Sequence, residues 1–151
     1  MSETTDPSPG RLVGRQHQLA VRIYYEDTDF TGVVYHANYL RYFERGRSDF
    51  FRVVGISHSA LLDRPDPAAF TITRIAVDFK RAARIDDALM VCTTYDSVKG
   101  PRLFISQWIM RGAELIATAA VEAACIDLQG RARRPPPGMA QTLSPLLATP
   151  P

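Results

Sequence analysis

The residues best suited to chemistry lie between 24 and 47, in the run YYEDTDFTGVVYHANYLRYFERGR. Glu26, Asp27 and Asp29 crowd one turn, Gly32 follows, and Val33, Val34 and Tyr35 lead into a helical pattern. A carboxylate held just before a helix can act as base or nucleophile. The unbonded N–H groups of a helix's first turn can hold a developing oxyanion. These are the parts of an acyl-transfer site: a carbonyl oxygen on the N–H at His36, with Asp29 on the other face of the carbonyl carbon. Glu26 and Asp27 close the preceding strand, whereas Asp29 lies nearest the glycine turn. The alternative for Asp29 is a plain turn or N-cap carboxylate, and the residues alone leave the two open. His36 contributes its backbone N–H on this reading, and its imidazole lines the pocket. Gly32 allows close backbone approach or a positive φ. Asn38 is expected to cap the helix, Glu44 to sit on its solvent side, and the tyrosines to pack. His17 and His58 have no partners at ligand spacing, so no metal is expected.

The elements that must position this turn can be read from periodicity. Leu19, Val21, Ile23 and Tyr25 alternate with Arg22, Tyr24 and Glu26, a strand pattern. A helix follows near 37–53, with Leu40, Phe43, Arg47, Phe50, Phe51 and Val54 on one stripe and Arg41, Glu44, Arg45, Asp49 and Arg52 on the other side. Gly46 costs about 1 kcal/mol against Ala inside a helix, which close contact with a sheet would explain. Gly55 suits the helix stop, and a short helical piece is expected at 57–63. Four strands follow, at 69–81, 88–98, 102–111 and 114–128. A phase slip near Thr73 and Arg74 predicts a β-bulge. One strand, one long helix and four hairpin-linked strands make an α+β fold, a curved antiparallel sheet around a helix. One helix covers one face only, so a dimer or higher homo-oligomer is expected.

Residues 1–16 read as a disordered arm, 17–134 as the folded domain and 135–151 as a loose proline-rich tail. The chain of 151 residues is 46% apolar, enough for one packed domain. Its net charge of +2 is too small for the basic stripe that nucleic-acid binding requires. No apolar run is long enough for a transmembrane helix, and the first residues lack a secretory pattern. Cys92 and Cys125 sit apart in apolar runs, as reduced core cysteines do. A cytoplasmic protein is the expectation.

The run YEDTDFTGVVYHANYLRYFERGR, with the later AARIDD and RARRP, resembles the hotdog-fold acyl-CoA thioesterases of the 4-hydroxybenzoyl-CoA thioesterase type. It is most similar to their Tol–Pal-associated bacterial subgroup. The resemblance spans roughly 18–134. It implies a five-stranded sheet wrapped around the helix and an active site at a dimer interface, with two dimers commonly forming a tetramer. It implies Asp29 as the catalytic carboxylate, attacking directly or through water, and His36 as the carbonyl-polarising amide. Gly32 matches the turn glycine, Val33 lies beside it in the substrate turn, and Tyr35 matches an aromatic pocket position. Lys99 and Arg102, flanking a hairpin, match basic contacts to coenzyme A phosphates. No metal or redox cofactor is implied. Phe30-Thr31 departs from the small residues usual in the family.

Hydrolysis of acyl-CoA to a free acid and coenzyme A is therefore the expected activity. Two other readings stand beside it: a hotdog hydratase or dehydratase, and a non-hydrolytic module that binds acyl-CoA or acyl carrier protein. The acyl preference is not written in the sequence, with a lean toward short, medium or hydroxylated groups.

Overall fold

The structure is a computed structural model that describes residues 5–148. Its strands are β1 (Arg11–Val13), β2 (Gln16–Arg22), β3 (Ala69–Phe79), β4 (Ala88–Lys99), β5 (Arg102–Arg111) and β6 (Glu114–Ile126). Its helices are α1 (Asn38–Val53), α2 (His58–Leu62) and α3 (Pro137–Leu143). The strands form one antiparallel sheet in the order β1-β2-β4-β5-β6-β3. α1 lies across its inner face, against β2 and β4.

The sheet has six strands, where the sequence led us to expect five. The extra strand, β1, lies inside the stretch read as a disordered arm. A turn at Gly14 (φ 63°) folds Arg11 back onto Gln18, and Leu12 packs against the core. Residues 1–4 of that arm lie outside the described residues. At the other end, Pro137 opens α3 as the first helical residue, a position where proline is preorganised. Met139, Leu143 and Leu147 are buried, and the Ala148 N–H donates to the Tyr95 carbonyl at 3.0 Å. The tail is thus docked through 148; 149–151 lie outside the described residues.

The buried stripe of α1 is Tyr39, Tyr42, Phe43, Gly46, Phe50 and Phe51. Leu40, expected on it, falls on the outer flank and is exposed. Gly46 sits where α1 touches the sheet: a Cβ there would meet Thr93 Oγ1 and Val91 Cγ1 at 2.9 Å. Beside it runs a buried polar seam. Gln107 Nε2 donates to the Phe43 carbonyl (2.8 Å) and Thr93 Oγ1 (2.9 Å), and its Oε1 accepts from Arg47 (2.9 Å). The predicted bulge is present as a register shift between Ile72 and Arg74.

His17 has a partner that its spacing did not reveal. It is fully buried, and its Nε2 lies 2.7 Å from Asp49 Oδ2, which also accepts the Gly10 N–H at 2.7 Å. This latch ties the start of β2 and the N-terminal segment to α1. It takes Asp49 away from Arg45, the i, i+4 neighbour it could have paired with.

Candidate active site

β2 ends at Arg22, and Tyr25–Asp27 forms a 3-10 turn rather than continuing the strand. Asp27 stabilises that turn: its Oδ2 accepts the Tyr24 N–H at 2.7 Å. Its carbonyl accepts the Tyr35 N–H (3.0 Å) and Asn38 Nδ2 (2.8 Å), so Asn38 fastens the acidic turn to the helix start. Asp27 is therefore occupied with structure.

Asp29 heads a tight loop. Its carbonyl accepts the Gly32 N–H (3.0 Å), and its own N–H donates to the Val33 carbonyl (2.9 Å). Gly32 has φ 85°, a left-handed conformation that glycine adopts without strain. Asp29 Oδ1 accepts both the Thr31 hydroxyl (2.5 Å) and the Thr31 N–H (2.8 Å). Those two bonds, the hydroxyl first, hold its carboxyl below the usual carboxylate range. No side-chain hydrogen bond to Oδ2 is present among the described residues, and the Val33 N–H also acts on the carboxyl and lowers its pKa further.

The loop then joins the 80–87 segment. Val33 bridges Arg84, and the Val34 N–H donates to the Ala83 carbonyl at 2.8 Å. That segment is clamped in turn. Ala83 N–H donates to the buried Tyr39 hydroxyl (3.3 Å), and Arg111 reaches Asp87 Oδ2 (2.8 Å) and the Ala82 carbonyl (3.0 Å). At the helix entrance, the Asn38 N–H donates to Tyr35 and the Tyr39 N–H to His36. Neither the His36 nor the Ala37 N–H is bonded among the described residues. The His36 ring packs 4.7 Å from Tyr35 and 6.1 Å from Phe79.

Asp29, Gly32, Val33, Tyr35 and His36 thus gather in one place. Lys99 and Arg102 do not join them. They face each other across the β4–β5 hairpin, in line with Ala124 of β6 and Thr71 of β3. The acidic turn lies at the Phe79 end of β3, so eight residues of strand, about 26 Å, separate the two groups within a protomer. Around the turn the aromatic groups are bare: Tyr25 is 85% exposed, Phe30 fully so, Tyr35 48% and Phe79 51%. Phe30, in the position where small residues are usual, points to solvent rather than into an acyl pocket.

Sequence reading also missed a cluster at the opposite end. Ser48 Oγ donates to Glu44 Oε1 (2.6 Å) and lies 3.2 Å from His58 Nε2. The Glu44–Ser48 spacing of one helical turn was the only visible signal. Among the described residues, no group of three or more His, Cys, Asp or Glu side chains could hold a metal ion. No helix there is long and apolar enough to cross a membrane.

Comparison with known proteins agrees with this architecture. Residues 23–143 match the Thioesterase-like superfamily. The acyl-CoA thioesterase YbgC of Haemophilus influenzae is 44% identical over 108 residues, 72% of this chain and 79% of that protein. The acyl-CoA thioester hydrolase YbgC of Escherichia coli O6:H1 is 38% identical over 71% of this chain and 79% of its own length. A probable thioesterase from Bartonella henselae superposes with a TM-score of 0.78 at 40% identity, covering 80% of this chain and 99% of that one. The match extends over α1, the acidic turn and every strand from β3 to β6, and on that ground the chain belongs to the Thioesterase-like superfamily, with the hotdog fold.

Proposed function

We propose that the protein hydrolyses acyl-CoA thioesters to a free carboxylic acid and coenzyme A, with Asp29 as the reacting carboxylate. The observation that carries this reading is the pairing, among the described residues, of an ionised carboxylate that has one oxygen without a side-chain hydrogen bond with an unbonded amide at the helix entrance. The thioester oxygen accepts the His36 N–H, and the N-terminal end of α1 favours the negative charge that grows there. Asp29 Oδ2 attacks the carbonyl carbon, or takes a proton from a water that does. The new C–O bond forms as the C–S bond breaks and the thiolate leaves; in the direct route water then hydrolyses the acyl-Asp29 anhydride and regenerates the carboxylate, and in either route the water supplies the hydroxyl of the acid and the proton that the thiolate takes up as coenzyme A. The step requires no metal or redox cofactor. A cytoplasmic location fits a coenzyme A ester as substrate, and acyl carrier protein thioesters are a second carrier to test.

The working unit on this reading contains at least two copies. Among the described residues the outer edge of β3 is unpaired, and the strand carries exposed Ile72 and Phe79. Antiparallel pairing of β3 with its own copy centred near Arg74 and Ile75 sets Phe79, beside His36, opposite Phe70 of the second copy. Lys99 and Arg102 of that copy then lie on the side of Asp29, where they can meet the phosphates of coenzyme A. Free-thiol release from a panel of acyl-CoAs, wild type beside Asp29→Asn, tests the proposal. Turnover that collapses in the variant supports it; no turnover on any ester, or equal turnover by both proteins, overturns it.

A further inference from the structure

The run AARIDD, residues 82–87, supplies none of the groups placed in the reaction, yet much of the fold is fastened to it. Where the chain leaves β2, the Asp86 N–H donates to the Ile23 carbonyl and the Ile23 N–H to the Asp87 carbonyl, each at 2.9 Å. Arg22 Nη1 donates to the Asp86 carbonyl at 2.8 Å. From α1, the Tyr39 hydroxyl accepts the Ala83 N–H. Just before the run, the Lys80 and Arg81 N–H groups donate to the Ile116 carbonyl of β6 at 2.8 and 3.1 Å. Ala83 is fully buried. Asp86 takes φ 72°, a left-handed conformation that a residue other than glycine keeps only where its surroundings hold it there.

The Asp29 loop hangs on this brace. The Ala83 carbonyl accepts the Val34 N–H, Val33 bridges Arg84, and the Val33 carbonyl accepts the Asp29 N–H. A shift of the brace therefore reaches Asp29 through Val33, and the helix entrance through Val34 and Tyr35. Arg111, at the end of β5, grips the brace with its side chain. Its Nη1 donates to Asp87 Oδ2 (2.8 Å) and to the Ala82 carbonyl (3.0 Å), so one cation spans both ends of the run. Asp87 Oδ2 also accepts the Arg84 N–H at 2.8 Å. That N–H first, and Arg111 after it, hold the Asp87 carboxyl below the usual carboxylate range. The two side chains are 28% and 27% exposed, so salt screens the pair less than an open surface pair. Arg111 Nη2 turns the other way, to Glu114 at 3.3 Å.

We infer that Arg111 is a positioning residue for the reaction: by tying Ala82 to Asp87 it keeps the brace in the shape that sets the Asp29 carboxylate against the His36 amide. The inference rests on the hydrolase reading. Arg111 acts on the geometry of the reacting groups and not on the hold on substrate, so its loss should be felt in kcat and not in KM.

The test assays wild type, Arg111→Ala and Glu114→Gln by thiol release, with the ester that wild type turns over fastest, at a temperature where circular dichroism shows both variants folded. Arg111→Ala should lose about tenfold or more in kcat with KM held within about twofold. Guanidinium ion, added far below the concentrations that unfold proteins, should restore most of that loss by rebonding Asp87 and Ala82, and sodium chloride at equal ionic strength should not. Glu114→Gln removes only the contact that faces away from the brace and should keep kcat within about twofold. An unchanged kcat in Arg111→Ala, a loss confined to KM, an equal loss in Glu114→Gln, or a loss that guanidinium leaves in place overturns the inference while the hydrolase reading stands. If wild type turns over no ester, the hydrolase reading fails, and hydrogen exchange at the Val34 amide in wild type and Arg111→Ala decides the role of the brace separately. Faster exchange there, with the β4–β5 amides unchanged, supports it. Unchanged protection at Val34, or faster exchange throughout the sheet, overturns it.

Discussion

At one end of the sheet a short stretch of chain builds the acidic turn almost unaided, bonding to itself through Asp27, Asp29, Thr31 and Gly32. At the other end α1 lends four residues to a cavity, and α2 and four strands lend one or two each. The first is polar and local; the second is mostly apolar and assembled from afar. A loop that ties down its own backbone can leave one carboxylate oxygen and one amide unspent. A cavity gathered from six elements can set size and shape, but it commits no group to bond breaking.

The comparison is broken or sharpened most strongly at the acidic turn. Asp29→Asn should keep the fold and lower turnover by about 10² or more, the scale lost with a general base. Asp27→Asn keeps an oxygen for the Tyr24 N–H and leaves the backbone carbonyl in place, so steady-state assays should show a much smaller loss. Equal losses in the two variants would erase the distinction between the reacting and the structural carboxylate. Next come effects on stability, under α1. Gly46→Ala forces a methyl against Thr93, Val91 and the Gln107 amide. Overpacking of that kind costs about 1–3 kcal/mol, readable as a lowered urea midpoint. Asp49→Ala strands the buried His17 and the Gly10 N–H, a loss of about 1–3 kcal/mol by the same measurement, with kcat per folded molecule retained. Such a retained kcat would confirm that this carboxylate, unlike Asp29, only fastens chain.

Smaller effects concern tuning. On the proposed mechanism Asp29 must be ionised, and the Thr31 bonds hold its pKa below the ordinary carboxylate value. The rate should therefore show no carboxylate inflection between pH 5 and 8, and should fall only as pH drops through that lowered pKa. Thr31→Val removes the hydroxyl bond, so the acid limb of the kcat/KM profile should move upward. Loss of Lys99 and Arg102 together should raise KM for coenzyme A esters several-fold, as lost phosphate contacts do, with little change in kcat.

What could be read in advance follows the same division. The acidic turn, the start of α1, the close approach at Gly46 and the bulge at Thr73 all express local chemistry or period, and all were legible. β1 was hidden because Arg11–Val13 is too short to show alternation, and its pairing depends on a turn at Gly14. α3 was hidden by its prolines, which mark a helix start as readily as a loop. His17 and Asp49 are 32 residues apart, and only the packing of β2 against α1 brings them together. The cluster of Glu44, Ser48 and His58 spans a helix, a turn and a second helix, so periodicity could show its first two members and not the third.

The position of β3 has a consequence for how the chain comes off the ribosome. β3 is made before β4, β5 and β6, yet its one partner in the sheet is β6, the last strand of the six. Until Ile126 has emerged, an eleven-residue strand rich in apolar and β-branched side chains waits with both edges bare. Arg74 and Asp78 stand in it as charges of the kind that discourage chance pairing with other nascent chains. Synthesis that halts before β6 is therefore the point at which this protein is most exposed to aggregation.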